Sequence, residues 1–180
     1  MFVATEMAIA HNVFLRGLNS ILRQAPYIID SLKAGYIRQD VEDLLFYVKT
    51  WIRLVKRHHD IEEKLFYPGV EEVTGITGLM DDLEVEHEEW LDGLLALQNY
   101  VDRVSDKPDQ YRWATMRTMI NSVSPALTNH LYSEIEFLLG LEKFETEGLR
   151  TLWFEVEKVS KSATDPTIMV SKSRHMSRGL

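Results

Sequence analysis

Residues 41–66 read VEDLLFYVKTWIRLVKRHHDIEEKLF. Apolar residues recur in this stretch at alternating steps of three and four, which predicts an amphipathic helix with one face in the core. The same line ends in a histidine and a glutamate that lie one helical turn apart, so both side chains stack on the core-facing side. The residues on this line are Val41, Leu44, Val48, Trp51, Val55, His58, Glu62 and Leu65.

The stretch offers two histidine and glutamate pairs at the same spacing, His58 with Glu62 and His59 with Glu63. The second pair extends a row that contains Lys49, and lysines belong near solvent. We therefore expect His58 to be the metal ligand. His59, Asp60 and Glu63 are expected to be extra ligands or to support the ligands from solvent-facing positions.

Three further blocks of metal-binding residue types fall on apolar lines. His11 fills a gap on the first line, His87 lies on the third, and the pair His130 with Glu134 lies on the fourth. On the third line either Trp90 or Leu91 continues the stripe. The expected helices run from Thr5 to about Gln24, from the N-cap Asp40 to about Phe66, from about Leu79 to Val104, and from near Asp109 past a kink or break at Pro125.

A fifth amphipathic segment is expected from about Glu145 to Lys161, with Leu149, Leu152, Trp153 and Val156 on its apolar side. Helices joined by short connections alternate in direction. The fold class predicted is therefore all-α, an antiparallel up-down four-helix bundle with an additional C-terminal helix. Residues 1–161 are expected to form this domain, and residues 162–180, which include His175, a mobile tail.

Composition limits the kind of partner. The 180-residue chain carries a formal net charge of −8, which argues against binding to nucleic acid or to an anionic membrane surface. It has no cysteine, so any metal must be held by nitrogen and oxygen donors. The N-terminal residues lack the pattern of a secretory signal and no apolar run is long enough to span a membrane, so a cytoplasmic location is expected.

Helix alternation also places the four blocks at a similar depth. His11 and His87 lie early in their helices, whereas the two histidine and glutamate pairs lie late, so all six side chains can meet at one end of the bundle. Two buried carboxylates need compensation, because an unpaired buried carboxylate costs several kcal/mol. We predict two cations with the carboxylates bridging them. The donor set suits iron, our first choice, and also manganese or zinc.

These residues resemble the hemerythrin-like family of HHE cation-binding domains, whose pattern is H, H-x-x-x-E, H and H-x-x-x-E on four successive helices. The resemblance covers about residues 5–141. The matching segments are His11, the run 58–63 followed by Leu65-Phe66-Tyr67-Pro68, Glu86-His87-Glu88, and His130-Leu131-Tyr132-Ser133-Glu134. The resemblance implies a helical bundle that holds metal ions through His11, His58, Glu62, His87, His130 and Glu134.

One departure from the family pattern affects the expected function. Oxygen-carrying hemerythrins have a second histidine one turn away on the third helix, where this chain has Leu83 and Leu91. The site is therefore one imidazole short, which leaves a coordination position open. An open position suits activation of oxygen, substrate binding or metal release better than reversible oxygen carriage.

Three hypotheses follow. The first is a hemerythrin-like non-haem di-iron protein that handles O2, peroxide, nitric oxide or iron. The second is a di-iron oxidase or oxygenase for a small organic substrate; if the protein is an enzyme, this chemistry makes it an O2-dependent oxidoreductase. The third is a metal-free helical interaction module.

Overall fold

The computed structural model of the protein describes residues 2–144 and 147–162, and every regular element in these two ranges is helical. Short 3-10 turns at 25–27, 108–110 and 141–144 connect some of the helices. The helices are α1 (Phe2–Gln24), α2 (Arg38–Ile61), α3 (Tyr67–Thr74), α4 (Asp81–Asp106), α5 (Trp113–Gly140) and α6 (Glu147–Ser162).

The four long helices enclose a common interior. Helix α1 packs against α2 and α5, and α4 packs against the same two helices. Helix α6 contacts α1, α2 and α3, and it buries the four apolar side chains expected for it, Leu149, Leu152, Trp153 and Val156. Among the described residues, no helix has the length and apolar character needed to cross a membrane.

Two apolar clusters fill the interior, and the polar residues lie between them. Along α1, Met7 belongs to one cluster and Phe14 to the other, with the buried His11 between them. Along α4, Leu83 and Trp90 belong to different clusters and His87 lies between them. His11 and His87 therefore lie in a polar layer between the two apolar clusters.

The second helix differs from its predicted end. We expected it to stop near Phe66, ahead of Pro68, but the chain continues through a π-helical turn at residues 62–66 into α3. In this turn the backbone N–H of Tyr67 donates to the carbonyl of Glu62, five residues earlier. The wider turn relieves the clash that a proline ring makes with the carbonyl four residues before it, so the helix is not broken. It ends instead at Gly75, which has φ +70°.

Other helix boundaries shift by a few residues. Helix α2 begins at Arg38, so Asp40 lies in the first turn and is not the N-cap. Helix α5 runs through Pro125 as one element. Pro125 is exposed, so water can reach the carbonyl that loses its N–H partner. Ser162, the first residue of the predicted tail 162–180, ends α6, and the rest of that tail, with His175, lies outside the described residues.

A close approach joins α1 to α2. The indole N–H of Trp51 donates to the carbonyl of Phe14 at 2.9 Å, which brings the ring against the α1 backbone. Gly17 provides the space, because a Cβ atom there would lie 2.5 Å from Cδ1 of Trp51. This contact holds the two helices together one to two turns from the polar layer.

Candidate metal centre

The first group of donors joins helices α1, α2 and α5. Nε2 of His11 lies 3.1 Å from Nε2 of His58 and 3.0 Å from Oε2 of Glu134. Nε2 of His58 lies 2.7 Å from Oε1 of Glu62. One donor atom from each of these four residues lies within 4.8 Å of the others, which is compact enough for a single ion.

The second group shares Glu62 with the first and adds residues from α4 and α5. Nε2 of His87 lies 2.9 Å from Nε2 of His130 and 3.7 Å from Oε2 of Glu62. Glu62 therefore directs one carboxylate oxygen toward each group, so it could be shared by two ions if both were bound. All six ligands predicted from the sequence meet in these two groups. Whether they bind metal stays a prediction.

The carboxylates in this layer are almost completely enclosed. Glu134 is 0% exposed and Glu62 is 2% exposed. Neither oxygen of Glu134 has a well-directed hydrogen bond in the described part of the chain, although Oε2 lies 3.0 Å from Nε2 of His11, and Oε1 of Glu62 approaches His58 without forming a hydrogen bond. An uncompensated buried carboxylate costs several kcal/mol, a large part of the roughly 5 to 15 kcal/mol that stabilises a domain. These atoms therefore fit metal ligands better than members of a closed hydrogen-bond network.

Acceptors fix the outer nitrogens of three of the histidines. Nδ1 of His11 donates to the carbonyl of Leu131 at 2.9 Å. Nδ1 of His87 lies 2.6 Å from Oε1 of Glu63, and Nδ1 of His130 lies 3.1 Å from Oε2 of Glu86, so both donate to carboxylates. A neutral imidazole that donates from Nδ1 keeps a lone pair on Nε2, and partners of this kind are typical of metal-binding histidines.

Burial keeps most of these imidazoles neutral. Desolvation is the largest effect on His58, and with the neighbouring His11 it lowers the pKa to about 3. Desolvation also lowers the pKa of His87 and His130. Because His87 and His130 are neutral and both donate from Nδ1, their Nε2 lone pairs face one another at 2.9 Å. A cation between them removes that repulsion.

In the first group, Glu62 and His11 have raised pKa values, and the neighbouring Glu134 contributes to both shifts. Desolvation, followed by the charge of Glu134, raises the pKa of Glu62 well above its usual value. Desolvation lowers the pKa of His11, but the close approach and charge of Glu134 outweigh it, so the net direction is upward. Without a metal, a proton on His11 is thus one source of positive charge beside Glu134.

Of the residues next to the predicted ligands, His59 lies in a position that differs from our expectation. His59 is buried, at 8% exposure, with its Nδ1 3.0 Å from Nδ1 of His87. Its row was expected near solvent, but its ring packs in a T-shaped contact against Trp90 and lies inside. Asp60 does stay outside, where it pairs with Lys56 and Lys64.

Sequence reasoning missed two residues of the site. Tyr67 is 1% exposed, its ring stacks on His87, and its hydroxyl lies 3.4 Å from Nε2 of that histidine. Glu86, which we quoted only as part of the segment around His87 and gave no role, accepts from His130 and from the hydroxyl of Ser133. Its place in that segment was the available signal.

The sequence of the chain is similar to those of known proteins. The model of the hemerythrin HHE cation binding domain matches residues 4–141. The dimeric xanthone biosynthesis cluster protein R11 of Cryptosporiopsis sp. (strain 8999) is 36% identical over 158 residues, which cover 88% of this chain and 57% of that protein. The chain thus spans little more than half the length of this relative. No solved structure matches it significantly. With its four blocks of ligand-type residues inside the matched range, the chain belongs to the hemerythrin HHE cation-binding domain family.

Proposed function

We propose that this chain is a hemerythrin-like non-haem di-iron protein that handles O2, peroxide, nitric oxide or iron in the layer between its two apolar clusters. The observation that carries the proposal is the 2.9 Å approach of the Nε2 atoms of His87 and His130, with Oε2 of Glu62 3.7 Å from His87 in the same buried layer. Buried groups of this charge and geometry are stabilised by a bound cation.

The two donor groups suggest how the residues divide between two ions. His11, His58 and Glu134 would hold one ion, and His87 and His130 the other, with Glu62 shared. Nitrogen and carboxylate donors without thiolate suit iron, and also manganese or zinc. The first ion has more protein donors than the second, so the second is the more open to an exogenous ligand.

The proposal includes an antiparallel up-down four-helix bundle. It is supported by the closed circle of contacts from α1 to α2, α4 and α5 and back to α1. It is also supported by the common depth of residues that lie early in α1 and α4 and late in α2 and α5.

Bound iron would supply redox chemistry with oxygen species, and the protein supplies the environment. Glu63 and Glu86 accept hydrogen bonds from His87 and His130, which orients both rings and increases the basicity of their Nε2 atoms. The hydroxyl of Tyr67 can donate a hydrogen bond to a small molecule at the more open position. Met7, Leu83 and Trp90 limit access of water to the layer.

An oxidase or oxygenase acting on a small organic substrate is the second candidate. The relative from Cryptosporiopsis is named for a dimeric xanthone biosynthesis cluster, so one protein similar to this chain is associated with the synthesis of an organic product. The more open second position would leave room for such chemistry. This candidate predicts substrate-dependent O2 consumption that disappears in Glu62→Ala.

A metal-free helical interaction module is the least favoured reading, because its polar core would have to be a satisfied hydrogen-bond network. The oxygens of Glu134 do not fit that description. Metal analysis after anaerobic reconstitution with Fe(II) tests the proposal, which predicts two ions per chain and a chelator-sensitive melting temperature. Less than one ion per chain in a folded protein would exclude it, as would a melting temperature that chelator does not change.

A further inference from the structure

A third group of donors lies outside the two groups already described. It consists of Nδ1 of His59, Oε1 of Glu63 and Nδ1 of His87. The Nδ1 atoms of the two histidines are 3.0 Å apart, and Oε1 of Glu63 lies 2.6 Å from the nitrogen of His87 and 3.8 Å from that of His59. The group uses the opposite nitrogen of His87 from the one that faces the core.

These separations fit a single ion. Donors that each lie about 2.0 to 2.2 Å from an ion, at angles between octahedral and tetrahedral values, are about 2.8 to 3.6 Å apart. The 3.0 Å distance lies inside this range, the 2.6 Å distance just below it and the 3.8 Å distance just above it, so small side-chain rotations would bring all three inside. Two imidazoles and a carboxylate also form a donor set that suits iron, manganese and zinc.

The group is placed between solvent and the core. The side chain of Glu63 is 30% exposed, that of His59 is 10% exposed, and that of His87 is 2% exposed. The three donors thus form a gradient of burial, and the last of them is itself a proposed core ligand. An ion that binds Glu63 first would be led inward to His87.

We propose that His59, Glu63 and Nδ1 of His87 form an entry site that holds a divalent cation on its way to the core. The inference rests on the proposed function, since it requires a metal-binding core to be filled. His59 and Glu63 belong to neither core group, whereas His87 belongs to this group and to the second core group.

His87 makes the two sites alternate. A neutral imidazole has a lone pair on only one nitrogen at a time. When Nδ1 binds an ion at the entry site, Nε2 carries the proton and does not serve the core. When the ion moves to Nε2, the proton moves to Nδ1 and donates to Glu63, which is the arrangement in the structure. The entry site therefore empties as the core fills.

The alternative role for His59 and Glu63 is to orient His87 without binding metal. The two roles differ in kinetics. Loss of an orienting partner leaves the rate of metal uptake unchanged and speeds metal release, because only the filled core is weakened. Loss of an entry site slows uptake, because the path to the core loses its first ligands.

The experiment follows uptake of Co2+ by chelator-stripped protein in a stopped-flow instrument, using the visible absorption of bound Co2+. The variants are His59→Gln and Glu63→Gln. Asp60→Asn is the control, because this carboxylate lies in the same turn but faces Lys56 and Lys64 and not the donor group. We expect uptake to slow by about tenfold or more in both glutamine variants, on the scale of lost metal-site partners. The control should load at a rate close to that of the unmodified protein.

Unchanged uptake with faster release in the glutamine variants would overturn the proposal in favour of an orienting role. Equal slowing in Asp60→Asn would overturn it in favour of general attraction by surface charge. Circular dichroism checks the fold of each variant. If His59→Gln does not fold, the uptake rate of Glu63→Gln tests the entry site alone, because the side chain of Glu63 is partly exposed. Failure of the unmodified protein to bind Co2+ at all would overturn the core proposal as well, whereas normal loading by every variant would overturn only the entry site.

Discussion

Oε1 of Glu62 lies 2.7 Å from Nε2 of His58, although His58 belongs to α2 and Glu62 begins the π-helical turn that follows it. The pair keeps the spacing of one α-helical turn because the widening starts at Glu62 itself. The residues after Glu62 are the ones that the π-helical turn moves, and they bring additional side chains to the site.

Glu62→Gln should change stability in opposite directions with and without metal. In metal-free protein the substitution removes a buried charge, so we expect a gain of about 1 to 3 kcal/mol in the free energy of unfolding at neutral pH. In metal-loaded protein it removes the shared ligand, so stability should fall. Denaturant titration of both forms measures the two signs, and a loss of stability in both forms would contradict the buried-charge argument.

The metal-free gain from Glu62→Gln should depend on pH. The folded-state pKa of Glu62 is raised above its usual value, so the charged form is the one that folding disfavours. The cost to the unmodified protein is therefore full above the raised folded pKa and disappears as pH falls toward the unfolded value near 4.5. The two proteins should differ more at neutral than at acidic pH and converge below about pH 4.5. A difference that grows on acidification would have the wrong sign.

The role of Tyr67 can be tested with azide as a probe of the more open metal position. Tyr67→Phe removes one hydrogen-bond donor, so azide binding to iron-loaded protein should weaken by about three- to tenfold, as expected for one hydrogen bond. Metal content should not change. Tyr111→Phe is the control, since Tyr111 is also buried but lies in the apolar cluster away from the polar layer. Equal effects in the two variants would show that the change is not specific to the site.

The six ligand-type residues were predictable, whereas Tyr67 was not. The stripe of His58 and Glu62 follows from the α-helical period, and the same argument located His130 and Glu134. Tyr67 follows Glu62 by five residues, which on an α-helix places the two side chains about 140° apart. On a π-helical turn a five-residue spacing brings them to one face. The sequence marks such a turn only through Pro68, which we interpreted as the end of the helix.

The burial of His59 was also beyond a period-based argument. A row that contains Lys49 and Lys56 predicts exposure, but lysine side chains can extend to solvent from a position whose neighbours along the row are enclosed. His59 packs on Trp90, and the choice between Trp90 and Leu91 as the inward residue of α4 was left open by the sequence. The burial of His59 therefore depends on packing between α2 and α4, which the pattern of a single helix does not contain.

Glu86 should contribute to metal affinity although it binds no metal itself. It accepts from Nδ1 of His130 and from the hydroxyl of Ser133. Glu86→Ala should therefore weaken metal binding by about 10- to 100-fold, measured by competition with a chelator of known affinity. Glu88→Ala removes an equal charge from an exposed position two residues away and should have a much smaller effect. Matching losses in the two variants would mean that only the charge of the acidic face matters.

The contact between Gly17 and Trp51 should make Gly17→Ala destabilising, although helix propensity alone predicts that it stabilises the protein. Alanine is favoured over glycine within helices by about 1 kcal/mol. At Gly17, however, the added Cβ would lie 2.5 Å from a ring held by its hydrogen bond to Phe14. We expect Gly17→Ala to lower the free energy of unfolding by about 1 to 3 kcal/mol, since overpacking outweighs propensity. Gly140→Ala, with no atom within 4 Å of the added Cβ, should be neutral or slightly stabilising. Thermal melting of the two variants beside the unmodified protein checks both signs, and a stabilised Gly17→Ala would show that Trp51 can move without cost.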